Sequence, residues 1–177
     1  MRGLPHGFGK RPPVDVAAGE RVLAWTEATT GEVLAGTREA LYLPGVRLPW
    51  EDVEAADWDR DTAEFRVAEV GRWGEDRVEH RYAIEEPRRF LELVRERVTA
   101  SVLLVRHVPI DGRRGVRVIA RRAPTGDRAL RWIYEYDAGI DPDDPTVRLA
   151  AETALADARD EVGLDETGRF GPDRSAC

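Results

Sequence analysis

Between Val22 and Ile84 the chain reads as short strand-like runs, several of them alternating apolar and polar residues, and a single amphipathic stretch follows at Pro87–Val98. Alternation at period two is what a strand with one buried face requires, whereas apolar residues at spacings of three and four mark one side of a helix. The strand-like runs are Val22–Thr26, Val33–Ala35, Leu41–Leu43, Val46–Trp50, Val53–Trp58, Ala63–Val67 and Val78–Ile84. Thr30-Gly31 and Pro44-Gly45 are turn signals between them, and Pro49 lacks the amide donor that an interior strand needs. Pro87 occupies the first turn of the helix, and Phe90, Leu93, Val94 and Val98 form its stripe.

A second set of elements follows. Val102–Val108 and Val116–Ala120 predict a hairpin with a loop of several residues at Asp111-Gly112. Leu130, Trp132, Tyr134 and Tyr136 predict one face of a third strand. Asp144-Pro145 is a helix start, and Val147, Ala151, Ala154, Ala158 and Val162 mark a last helix that Gly163 ends. Its alanine face suits close packing on a sheet.

Composition narrows the class. The chain has 177 residues, 42% hydrophobic and 34% charged, with one cysteine at Cys177. An internal disulfide and a cysteine metal site are therefore excluded. No run nears the roughly 18 apolar residues of a bilayer span. Met1–Gly7 lacks the apolar segment of a secretory signal, so a cytoplasmic setting is expected. The net charge of −7 is unevenly spread. Residues 102–136 carry eight arginines against Asp111, Asp127 and Glu135, whereas the residues after them are strongly acidic.

Two segments carry a resemblance: Thr37-Arg38-Glu39-Ala40-Leu41-Tyr42-Leu43 and Leu48-Pro49-Trp50-Glu51-Asp52-Val53-Glu54-Ala55-Ala56-Asp57-Trp58. With the helix at Pro87–Val98 behind them, residues 20–100 resemble the bacterial PH-like domains. That likeness implies an α+β chain whose first part is a bent antiparallel sheet or barrel of about seven strands closed by a helix. A three-stranded antiparallel sheet and a final helix would follow. Such folds mainly bind other molecules, and the likeness fixes no activity. Their lipid-binding branch clusters basic residues in an early loop. Thr29–Gly31 has none and Glu32 follows, which argues against inositol lipid. The later order helix–strand–strand–strand–helix is similar to that of double-stranded RNA-binding domains. Asp141-Pro142-Asp143-Asp144-Pro145 stands where those domains carry phosphate-binding cations, so the analogy is one of element order.

Side-chain chemistry is sparse. Of three histidines, His6 is in the expected tail, His80 shares a strand face with Val78 and Tyr82, and His107 adjoins Arg106. His80 reads as a core histidine with one hydrogen-bond partner, and no pair has metal-ligand spacing. Ser101 and Ser175 lie in no nucleophile elbow. The acidic clusters Asp57–Asp61 and Asp141–Asp144 read as a strand-end turn and a helix cap. The positive lead is a cluster of arginines, Arg113, Arg114, Arg117, Arg121, Arg122, Arg128 and Arg131, with Arg117 and Arg121 on one strand face. That face could grip phosphate or an acidic partner, be solvated, or pair with the chain's own acidic helix. Trp73, between two glycines, is the candidate exposed contact residue.

The sequence therefore predicts flexible tails at 1–18 and 165–177, a PH-like domain over 19–101 and an extension over 102–164. It predicts a non-catalytic binding protein with no cofactor and no metal. Its partner is another protein or a second copy, with no membrane insertion. Candidate binding residues are Arg113, Arg114, Arg117, Arg121, Arg122 and Trp73. A nucleic-acid-associated protein using the arginine hairpin is the alternative, and an enzyme with a carboxylate and arginine pocket is the third reading.

Overall fold

Among the described residues the strand-like runs form ten strands, and the two apolar stripes form two helices. The structure, a computed structural model, describes residues 14–71, 78–124 and 130–162. The chain falls into two compact units divided between Val98 and Thr99.

The first unit contains β1 (Ala24–Glu27), β2 (Val33–Gly36), β3 (Ala40–Leu43), β4 (Val46–Pro49), β5 (Val53–Asp59), β6 (Glu64–Glu69) and β7 (Glu79–Ala83). The helix α1 (Arg88–Ser101) follows. Both sheets are antiparallel, in the orders β1-β2-β3-β4 and β5-β6-β7. They are two sheets rather than one of about seven strands, and they form no closed barrel among the described residues. The reason is local. Pro49 ends β4, and the chain turns through a short 3-10 segment, Trp50–Asp52, before β5 begins.

One core serves the whole unit. Leu34, Leu41 and Leu48 from the first sheet meet Val53, Phe65 and Val67 from the second, with Phe90 and Val94 of α1. Phe65 and Phe90 pack edge to face, 5.4 Å between centroids. Trp50 is fully buried, and its indole Nε1 donates to the Thr37 carbonyl at 3.1 Å. A Cβ on Gly36 would stand 2.7 Å from Leu93 Cδ2, so glycine lets α1 approach β2 closely.

The opposite face of the first sheet is also covered. Composition assigns residues 14–18 to a flexible tail, but Val14 and Val16 instead pack with Val22 and Trp25 on Ala35, Ala40 and Tyr42. Two valines two residues apart share one side of an extended segment, and that suffices where small side chains lie below.

The second unit holds β8 (Val102–Asp111), β9 (Arg114–Arg122), β10 (Leu130–Tyr136) and α2 (Pro145–Val162). Its antiparallel order β10-β9-β8 leaves β8 and β10 as edges. The hairpin loop is tighter than alternation suggests: Gly112 and Arg113 alone separate the strands, with Gly112 at φ +62. Val118, Ala154 and Ala158 form the core between β9 and α2, flanked by Leu104, Trp132 and Tyr134. The Asp144 carboxylate caps α2 by accepting from the Thr146 amide at 2.7 Å, and those bonds hold its pKa below the usual range.

Gly115 and Gly36 make a paired test. A Cβ on Gly115 would fall 1.9 Å from the Val108 carbonyl oxygen, which cannot rotate away, whereas Leu93 Cδ2 can. Gly115→Ala should cost about 2–4 kcal/mol and Gly36→Ala less than about 1 kcal/mol in urea unfolding. Equal costs would contradict this packing.

Candidate functional site

Pairing registers decide which way the arginines point. Arg117, Ile119 and Arg121 project from the face of β9 opposite Val118, the residue that packs on α2. The shared parity of Arg117 and Arg121 is as the sequence predicts; their availability is not. Arg121 is only 5% exposed and donates to Ser101 Oγ at 3.1 Å. Arg117 is held by acids at the end of β10, with Nη2 2.9 Å from Asp137 Oδ1 and Nη1 3.6 Å from Glu135 Oε2. Arg114 pairs with Asp111 across the turn. Arg106, on the other face, reaches Asp157 at 3.3 Å and Glu161 at 3.4 Å on α2. Arg113 is exposed in the turn and Arg122 half-buried at the strand end, neither with an ion pair among the described residues. Arg131 is exposed on β10. Trp73 and Arg128 lie outside the described residues.

Asp137 organises this rim. Its Oδ2 takes the Gly115 amide at 2.9 Å and sits 3.1 Å from His107 Nε2, while Oδ1 takes Arg117. The Gly115 amide first, then His107 and Arg117, hold its carboxyl below the usual range. Every strand of the sheet thereby contributes to one polar cluster. Beside it on β8, Val105 is 55% exposed and Leu103 is 38% exposed. Leu103, Leu104, Arg122, Glu161 and Val162 line an open depression of about 300 Å³.

A second constellation, in the first unit, has no counterpart in the sequence reading. Register places Trp25, Ala35, Tyr42 and Arg47 in one row across all four strands of the first sheet. Residues 14–22 lie against this row. Glu20 is the polar fastening. Its Oε1 accepts from Arg47 Nη2 at 2.5 Å and Nε at 2.9 Å, and its Oε2 accepts from Thr37 Oγ1 at 2.6 Å. The Tyr42 hydroxyl accepts from the Ala17 amide at 2.9 Å and from Arg47 Nε at 3.2 Å. Burial alone would raise the Glu20 pKa. Hydrogen bonds from Thr37, Arg47 and Tyr42 outweigh it and hold the carboxyl below the usual range. The sequence signal was faint: Val14 and Val16 flank Asp15, and Glu20 follows three small residues and precedes Arg21.

His80 is half-buried rather than a core residue, because Val78 on the same strand face is exposed; its Nε2 lies 2.7 Å from Glu69 Oε1 on the neighbouring strand. Asp59 accepts the amides of Asp61 and Thr62 in a turn. Among the described residues no group of three or more histidine, cysteine or acidic side chains could hold a metal ion. No helix among them is long and apolar enough to cross a membrane. His6, Ser175 and Cys177 lie outside the described residues.

No protein-family model, no curated protein and no solved structure matches the chain.

The rim makes a pH prediction. A carboxyl whose pKa is lowered by folding stabilises the fold above its unfolded value near 3.8, and that contribution is lost as pH falls through the folded value. Asp137→Asn should therefore lower thermal stability near neutral pH and flatten its fall below about pH 5. A variant whose acid limb matches the wild type would contradict the assignment.

Proposed function

We propose that this chain is a non-catalytic binding protein that recognises another protein, built on a PH-like first unit with an α/β extension. The observation that carries the reading is the disposition of the hairpin: most of its cations are matched by the chain's own groups, while apolar side chains stay exposed beside them. Arg114 and Arg117 hold acids and Arg121 is buried, leaving Arg113 and Arg122 for an outside anion. Leu103 and Val105 sit on an edge strand, where a polypeptide partner gains both apolar contact and backbone pairing. The PH-like part of the reading is supported by the element order. Seven strands in a four-stranded and a three-stranded sheet precede α1, which fills their common core with Phe90 and Val94. A cytoplasmic setting completes the reading.

The nucleic-acid alternative rests on Arg113 and Arg122. It requires binding that falls steeply with salt, since each phosphate contact releases counterions. Tagged full-length protein drawn from its host's lysate should keep a protein partner after nuclease treatment. Leu103→Glu with Val105→Glu should remove that partner, and Arg113→Ala with Arg122→Ala should not. Partners that vanish with nuclease, or that depend on the arginines, would move the function to nucleic acid.

A further inference from the structure

We infer that residues 14–22 occupy, in cis, a peptide-binding furrow on the outer face of the first sheet, and that its ligand in trans is an acidic segment of the same pattern, extended at its two β-branched residues and turned before its carboxylate. The inference deepens the binding-protein reading and rests on it, but it concerns a different surface from β8.

The furrow follows from the row across the sheet. Ala35 and Ala40 are short and fully buried; Trp25 and Tyr42 flank Ala35 across the sheet, and Tyr42 follows Ala40 along β3. Small residues flanked by aromatic ones make a floor with walls. Val14 and Val16 lie on that floor as half-buried side chains. Residues 14–17 form no strand ladder with the sheet. Their main chain is held through the Ala17 amide and the Tyr42 hydroxyl. The segment then turns, with the Glu20 amide donating to the Ala17 carbonyl at 3.0 Å and Gly19 at φ +86.

At the far end the furrow offers a carboxylate receptor. Arg47 presents two nitrogens to one oxygen of Glu20, and Thr37 offers its hydroxyl to the other. This charge-assisted set is directional, and Arg47 also stacks over the Tyr42 ring at 6.0 Å. Neither Asp15 nor Arg21 makes an ion pair or hydrogen bond through its side chain among the described residues. Glu20 thus carries the polar recognition and the valines carry the apolar part.

The segment is thus held from outside the sheet's hydrogen-bond ladder, by two valines on alanine, one main-chain bond and one carboxylate. The matching ligand has two β-branched residues two apart and a carboxylate four residues beyond the second. A tethered segment competes at a high effective concentration, so a free peptide binds with its intrinsic affinity only when the tether lets go.

Full-length protein titrated with a fluorescent peptide of residues 14–22 provides the test. Glu20→Gln weakens the hold in cis and leaves Arg47, Thr37 and Tyr42 free to receive the peptide's glutamate. It should bind the peptide at least about tenfold tighter than the wild type. Replacing that glutamate by Gln in the peptide, or adding Arg47→Ala to the protein, should erase the gain. Val16→Ser, which loosens the apolar hold and spares the clasp, should also gain affinity and covers the case in which Glu20→Gln misfolds. Equal affinity of wild type and both variants would overturn the inference, as would a gain indifferent to the peptide's carboxylate. Neither outcome depends on Leu103 or Val105, so failure here leaves the β8 reading standing.

Discussion

Thr37 is fully buried between β2 and β3, and it bonds both to the core on one face of the first sheet and to the segment on the other. Its carbonyl accepts the indole N–H of Trp50, the largest fully buried side chain of the first core. Its hydroxyl donates to Glu20 on the outer segment and accepts the amides of Glu39 and Ala40, which closes the turn into β3. A buried hydroxyl is tolerated only when satisfied, and here its satisfaction fixes the turn and the clasp, while the carbonyl of the same residue orients Trp50. The first sheet has apolar residues on both faces because both are covered. Leu34, Leu41 and Leu48 face the core, and Ala35, Ala40 and Tyr42 face residues 14–22.

Charge in the second unit obeys a similar economy. Eight arginines in residues 102–136 invite a phosphate-binding reading. Geometry turns much of that charge inward or sideways. Arg106 reaches α2, Arg117 reaches the end of β10, and Arg121 sits beside Ser101. Charge-assisted bonds of this kind orient strands and helix more than they add stability, since most are half exposed. The acidic stretch after residue 136 thus has an intramolecular use in Asp137, Asp157 and Glu161.

Strand and helix identity was legible where period two or period 3.6 survives, whereas β2 and β3 are apolar throughout and were marked only by the turns that bound them. Phe65 and Val67 are buried where alternation puts them, and so are Phe90, Val94 and the α2 alanines. α1 nonetheless runs on to Ser101, past the end of its apolar stripe, because Thr99 and Ala100 carry nothing that stops a helix. What escaped was set by register and long-range pairing. No local pattern says that Arg121 is buried while Arg117 is paired, since both lie on the same strand face. No local pattern joins Glu20 to Arg47, because they meet across 27 positions of sequence. The division into two sheets was legible only in retrospect, in Pro49 and the 3-10 turn behind it.

The central claim is that Thr37 fastens residues 14–22 as a segment that can open while the core below stays closed. Amide and indole hydrogen exchange in wild type and Glu20→Gln tests it, because glutamine removes the charge that Thr37 and Arg47 hold and leaves the Thr37 hydroxyl to close the turn into β3. The account predicts faster exchange at Ala17 and its neighbours, with the Trp50 indole and the amides of Leu41 and Phe65 as protected as before. Unchanged exchange across residues 14–22, or loss of protection throughout the first unit at once, would contradict it.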